Sequence, residues 1–313
     1  MKEEIIISGR MNPKIDPVLN IWHWEIPLYL FLGGLAAGIL FFAALYIILK
    51  KEDEFPTAVK KAPLITPFLL IIGLIALLLD LNHKPYFWQL YTTIKIQSPM
   101  SWGAWTLMVV TPLSFIWAAL NIKEIFPTWD WNISFLKQFE IWCRKNILPI
   151  AWITITFSVI LGIYTGILFS AFNARPLWNT SILGPLFLTS GLSTGAAAIM
   201  LMSKNHIERK AFARIDLLLI AIELFLITHM FMGFMASTQV QIEAARLFLG
   251  GPYTASFWVF VVGLGLVVPA FLEVLELSRR KIPVIVPATL VLFGGIMMRF
   301  ILAYAGQASR WLY

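Results

Sequence analysis

Charge is scarce in this chain: Asp, Glu, Lys and Arg together make up 13% of 313 residues. A soluble domain carries nearly twice that share, so a solvated globule is excluded. Cysteine is almost absent. Cys143 stands alone, which rules out an internal disulfide and an all-cysteine iron–sulfur cluster held by this chain. Histidine is limited to four residues: His23, His83, His206 and His229. A membrane haem takes axial ligands from facing spans, and only His229 lies well inside one, so haem is disfavoured. No glycine-rich phosphate loop sits between a strand and a helix, which argues against a nucleotide-driven enzyme. The first 22 residues are polar and mixed in charge, unlike the basic-then-apolar form of a signal peptide.

What is abundant is apolar. Hydrophobic residues make up 59% of the chain and the mean hydropathy is +0.80. Runs of about 20 apolar residues recur, each long enough to cross a bilayer as a helix. Eight are predicted: Trp24–Leu49, Leu64–Asn82, Ser101–Asn121, Pro149–Phe172, Ser181–Ser203, Phe212–Ala236, Thr254–Leu277 and Pro283–Ala305. No run alternates apolar and polar as a barrel strand would. The expected class is an all-α integral membrane protein of eight transmembrane helices in two four-helix bundles. Residues 1–23 form a tail, 24–172 the first bundle and 173–313 the second. The long connection at 122–148, rich in Trp and Phe, predicts an amphipathic helix at the interface.

The net charge of +7 is confined to short connections, where Lys and Arg set orientation rather than bind nucleic acid. Fifteen cations fall on one side and eight on the other, with Arg299 inside the last span. By the positive-inside rule both termini lie outside the cytoplasm.

Pro99 ends whatever precedes it, Ser101 reads as an N-cap, and Trp102 and Trp105 open the third span at the interface. A weak repeat relates Pro27-Leu-Tyr-Leu-Phe-Leu-Gly-Gly-Leu-Ala-Ala-Gly38 to Pro185-Leu-Phe-Leu-Thr-Ser-Gly-Leu-Ser-Thr-Gly195. Both strings begin spans running in the same direction. The spacing fits a parallel duplication, and it equally fits the small-residue packing common to helix bundles. Both halves also end in an Arg near a Trp, Arg175 with Trp178 and Arg310 with Trp311.

Polar side chains inside a bilayer are costly. Asp80, His83, Tyr164, Glu223, His229 and Arg299 fall in the outer half of their spans or at its edge, with His23 and Glu25 at the outer rim. They are expected to form one polar pocket able to exchange protons with a lipid-soluble substrate. The competing reading is that Asp80, Glu223 and Arg299 pair only to pin the bundle. Arg214, Asp216, Glu273 and Glu276, at the inner edge, read as snorkelling or end-of-span charges.

Four stretches resemble the NrfD/PsrC family, the membrane subunits of polysulfide reductase and related respiratory complexes. They are Trp22-His-Trp24 with Tyr29-Leu-Phe-Leu-Gly-Gly-Leu-Ala-Ala-Gly38; Leu79-Asp80-Leu81 leading to Ser98-Pro-Met-Ser-Trp-Gly-Ala-Trp105; Tyr164-Thr-Gly166 leading to Asn173-Ala-Arg-Pro-Leu-Trp-Asn179; and Arg299 followed by Ala305-Gly-Gln307. The resemblance implies an anchor in the cytoplasmic (inner) membrane, without a redox centre of its own, that binds menaquinone or ubiquinone near the non-cytoplasmic face. Its implied partners are a ferredoxin-like subunit with four iron–sulfur clusters and, beyond it, a catalytic subunit that is often a molybdopterin enzyme. The family's site tyrosine matches Tyr164. Where some members carry Asn and His in the first span, this chain has Ile26 and Tyr29.

The expected quinone contacts are therefore Tyr164, Tyr29 and His23, with Trp102 and Trp105 at the lipid-side entrance. Asp80, His83, Glu223 and Arg299 are expected in proton exchange or electrostatic roles, and no metal ligands are expected. A secondary transporter built on a duplicated bundle and a purely structural anchor are the alternatives.

Overall fold

The computed structural model describes residues 21–131, 133–278 and 282–310. Eight helices are long and apolar enough to cross a membrane: α1 (Glu25–Ile48), α2 (Thr57–Asp80), α3 (Pro99–Asn121), α4 (Ile147–Ser170), α5 (Leu183–Met202), α6 (His206–Met235), α7 (Ser256–Leu277) and α8 (Ile285–Ala308). No strand occurs among the described residues. Successive helices reverse direction. One end of the molecule thus carries the start of α1 and the finish of α8 (the Trp22 end), and the other carries the turn after α1 (the Lys50 end).

Helices α1 and α5 form the spine. Helix α1 packs on α2, α4, α5 and α8, and α5 packs on α4, α6 and α8. The two repeat strings meet here, side by side and parallel. Gly38 lies directly on Gly191 and Gly195, and Gly34 on Gly191; a Cβ at Gly38 would overlap the Gly191 carbonyl. Water-driven burial gives helices little reason to associate within lipid, so close backbone packing at small residues takes its place. The repeated glycines are thus the seam between α1 and α5.

Helix α2 starts seven residues before the predicted Leu64. Its first turn, Thr57–Lys61, is wound as a π-helix. The two lysines there hide the start from hydropathy. Fully buried Glu208 of α6 fixes it, accepting 2.9 Å from the Ala58 backbone N–H and 2.6 Å from the Ser203 hydroxyl. Helix α6 likewise begins before Phe212, at His206, with the Asn205 side chain capping Ile207 N–H. The first half of α7, Ser256–Val267, is also π-helical.

Ser101 is not a cap. Helix α3 begins at Pro99, the first-turn position that suits a residue without an N–H. Ser101 sits one turn inside, its hydroxyl donating to Thr93 O. The interfacial helix forms at Ser134–Lys145 and leaves Phe135, Phe139, Ile141 and Trp142 exposed. Beneath it Cys143 is buried against Leu113, Leu120 and Ile150.

A clasp closes the Trp22 end. Gln307 Oε1 accepts from the backbone N–H of Ile21 (3.0 Å) and Trp22 (2.9 Å), and its amide donates to Trp22 O (2.8 Å). Arg175 donates to Ser309 O and Trp178 to Leu302 O, each at 2.8 Å. The Trp22 ring packs on Phe169 and Trp178. Trp311, the partner expected for Arg310, lies outside the described residues.

Candidate functional site

The predicted site residues separate into two places. The first is at the Trp22 end of α1–α4. Tyr29 projects from the second turn of α1 and packs on Gly73 of α2. Tyr164 comes from α4, with its ring against Gly103 of α3, where a Cβ would overlap ring atoms. Tyr29 lies within electrostatic reach of Tyr164 and of Tyr91, from the short helix Gln89–Thr92. Tyr29 is 3% exposed and Tyr164 8%. Yet none of the three hydroxyls makes a hydrogen bond among the described residues. None of them is among the buried side-chain atoms without a partner, so each hydroxyl keeps some accessible surface and is open to a ligand. Burial pushes the Tyr91 phenol above its ordinary pKa, which keeps it a donor.

A groove of about 400 Å³ opens from Tyr164 toward the lipid between α3 and α4, lined by Gln97, Pro99, Trp102, Thr106, Ile160, Ile163 and Ile167. The Trp102 indole N–H donates to Ile96 O at 2.7 Å, and this fixes the ring at the groove edge. Trp105 does not line the groove; it packs behind Trp102 with ring centroids 6.1 Å apart. At the rim Asp80 lies within electrostatic reach of Glu25 and His23. Glu25 Oε2 is buried and has no hydrogen-bond partner. His83 is exposed and faces a separate, more polar cleft with Tyr86, Gln89 and Lys95.

The second place is among α5–α8, so the single polar pocket expected from the sequence is in fact two. Arg299 is directed to α5: it donates to the Ser190 hydroxyl and to Phe187 O, and its guanidinium lies 5.0 Å from the Phe187 ring centroid. Glu223 lies within reach of Arg299, Ser190 and Ser193. Ser193 in turn donates 2.6 Å to Asp216, and Asp216 lies beside Glu273. Asp216 and Glu273 are 0% exposed, so they are neither snorkelling nor end-of-span charges as expected. Oxygens of Glu223, Asp216 and Glu273 remain without hydrogen-bond partners. The result is a stepped row of ionisable groups, Arg299–Glu223–Asp216–Glu273, descending from the middle of the bundle toward the Lys50 end. Arg299 does not orient Asp80.

His229 leaves the set as well. It is exposed on α6 and stacks on Phe225, 5.7 Å between centroids. Hydropathy placed its depth but not its face.

Tyr91, Ser190 and Ser193 join the sites without having been predicted as members. Serines at helical spacing in an apolar run carried the only signal, and small-residue packing gives the same pattern. Among the described residues no cluster of His, Cys, Asp and Glu is arranged to hold a metal ion.

Comparison with known proteins agrees with this architecture. The family model described as "Polysulphide reductase, NrfD" matches residues 12–309. A polysulfide reductase chain of Wolinella succinogenes is 30% identical, over 92% of the present sequence and 94% of its own. Protein NrfD of Escherichia coli K12 is 30% identical, over 92% and 96%. A selenate reductase subunit of Mesobacillus selenatarsenatis is 25% identical, over 95% and 76%. A match that spans nearly every described helix, with two relatives at this identity, leaves one assignment: the chain belongs to the NrfD family of multi-pass membrane subunits of reductase complexes.

Proposed function

We propose that this subunit binds quinone and quinol beside Tyr29 and Tyr164 and exchanges electrons with an iron–sulfur partner docked on the Trp22 end. The cation distribution supports placing that end outside the cytoplasm of an inner membrane, with both termini there. The names of the relatives support a further reductase subunit beyond the iron–sulfur partner, with molybdopterin as its proposed cofactor.

One observation carries the reading: the buried Tyr164 phenol, its hydroxyl without a hydrogen bond among the described residues, heads an apolar groove open to lipid, and the Tyr29 phenol lies within electrostatic reach of it. That donor set fits a para-dicarbonyl ring on a greasy tail. When bound, such a ring supplies paired electron and proton transfer. The protein's own residues do the rest. Tyr164 and Tyr29 donate hydrogen bonds to the ring oxygens. Asp80, Glu25 and His23 carry protons between the ring and water at the rim. Trp102 walls the approach from the bilayer. Menaquinone and ubiquinone share this chemistry.

The buried row Arg299–Glu223–Asp216–Glu273 favours a second element, proton movement coupled to turnover. Carboxyls without partners are expensive in a membrane interior, and their usual use is proton relay.

The test of the principal reading is Tyr164→Phe in the assembled complex. Removing one hydrogen bond that strengthens in the transition state is expected to lower quinone-linked turnover by about ten- to a hundredfold while assembly is unchanged. Unchanged turnover removes Tyr164 from the site, and lost assembly with no specific effect on turnover favours a structural anchor.

A further inference from the structure

A second opening reaches Tyr91 from another side. Helix α2 presents one apolar stripe to lipid, Ile71, Ile75 and Leu78, and the segment after it folds back so that Phe87 and Leu90 form the opposite wall. The groove between them holds about 240 Å³. Ten residues of helix separate Ile71 from Leu81, about 15 Å of rise, so the groove runs from the rim toward the bilayer midplane. Its lining is Ile, Leu and Phe apart from Tyr91. The Tyr91 hydroxyl has no partner among the described residues, and its ring lies within electrostatic reach of Tyr29.

This arrangement is that of an amphiphile's negative image: an aliphatic trough along the membrane normal, ending at a phenol that continues into the row Tyr91–Tyr29–Tyr164. The α3–α4 groove is equally apolar but larger, about 400 Å³, and it opens directly on Tyr164. Its volume suits a ring, and the smaller, elongated α2 groove suits a linear hydrocarbon.

Building on the quinone reading above, we infer that the prenyl tail lies in the α2 groove over Ile75 and Leu78, and that Tyr91 is a third hydrogen-bond donor to the headgroup. A phospholipid acyl tail would fill the same trough, but it would bring an ester and a phosphate to the rim. At the groove's end Tyr91 is a neutral donor, and the rim cation Lys95 lines the adjoining cleft instead.

The experiment uses the membrane-embedded complex and prenylated quinones that carry a photoreactive diazirine on the tail. After illumination the modified peptides are identified by mass spectrometry. The expected result is labelling between residues 71 and 91, suppressed by excess unlabelled quinone. In a direct binding measurement, Ile75→Trp, at an exposed position, is expected to weaken the long-tailed quinone by about tenfold, the worth of roughly two buried methylene groups. A tailless analogue is unaffected by that variant, whereas Tyr91→Phe weakens both. Competed labelling between 97 and 106 or 160 and 167 overturns the tail route and leaves the quinone site standing. Labelling of 71–91 that excess quinone does not suppress makes the trough a lipid groove and overturns the inference. Saturable labelling at neither groove overturns the quinone reading itself.

Discussion

Ser193 of α5 donates a 2.6 Å hydrogen bond to Asp216 of α6, and both side chains are sealed from solvent. That contact links the Arg299–Glu223 end of the row to the Asp216–Glu273 end. A buried carboxylate is tolerated only with partners. The hydroxyl supplies one, and it can also hand on a proton because it donates and accepts.

The row can be interrupted at Glu223. Glu223→Gln keeps the shape and removes the titratable proton. In sealed vesicles bearing the complex, it is expected to abolish turnover-linked proton movement while the electron-transfer rate at the Trp22 end falls less than about threefold, within the range of a remote perturbation. Identical proton-to-electron ratios in wild type and variant assign the row to structure.

At Gly38 and Gly195 the α1–α5 seam leaves no room for a side chain. Gly195→Leu must force the spine apart, since even a Cβ there would approach the Gly38 backbone. The expected loss exceeds the ~1–3 kcal/mol typical of an overpacked core, because backbone rather than a flexible side chain must yield. Thermal melting in detergent reads it. Gly233→Leu, whose Cβ would meet open space, serves as the matched control and should melt near wild type.

Gln307 saturates three backbone groups of Ile21 and Trp22. Gln307→Ala leaves them unpaired at a partly buried site, for an expected cost of about 1–3 kcal/mol. Limited proteolysis ahead of Trp24 should accelerate in the variant. Gln307→Glu can still accept both N–H bonds but can no longer donate to Trp22 O. Its protection should fall in between.

Cys143 is 1% exposed, and burial raises its thiol above the ordinary pKa. Less thiolate and no access both slow alkylation. A membrane-permeant maleimide at neutral pH should modify native protein far more slowly than unfolded protein. Rapid modification of the folded protein would place the Ser134–Lys145 helix away from α3 and α4.

The number and order of the membrane-crossing helices were legible because hydropathy reports depth in a bilayer directly. The glycine seam was legible because close packing needs small residues four apart. Azimuth was not. His229 and Glu223 lie six residues apart in one apolar run; one faces lipid and the other the bundle, and no local pattern distinguishes them. Asp216 and Glu273 misled for a related reason. Near the ends of apolar runs a carboxylate is ordinarily at the headgroups, and only tertiary packing draws these two inward. The motifs shared with the family point, as strings, toward the proposed quinone pocket. In the folded protein Trp22, Arg175, Trp178 and Gln307 fasten the scaffold that holds it.

The fastening of Ile21 and Trp22 to Gln307 makes the polypeptide almost a ring. Its first and last described helices meet tail to head, so the order in which the eight are strung matters little to the finished bundle. A rearranged gene that joins these neighbours with a short linker and opens the turn at Lys50 should yield the same assembly, with its new ends on the opposite face of the membrane.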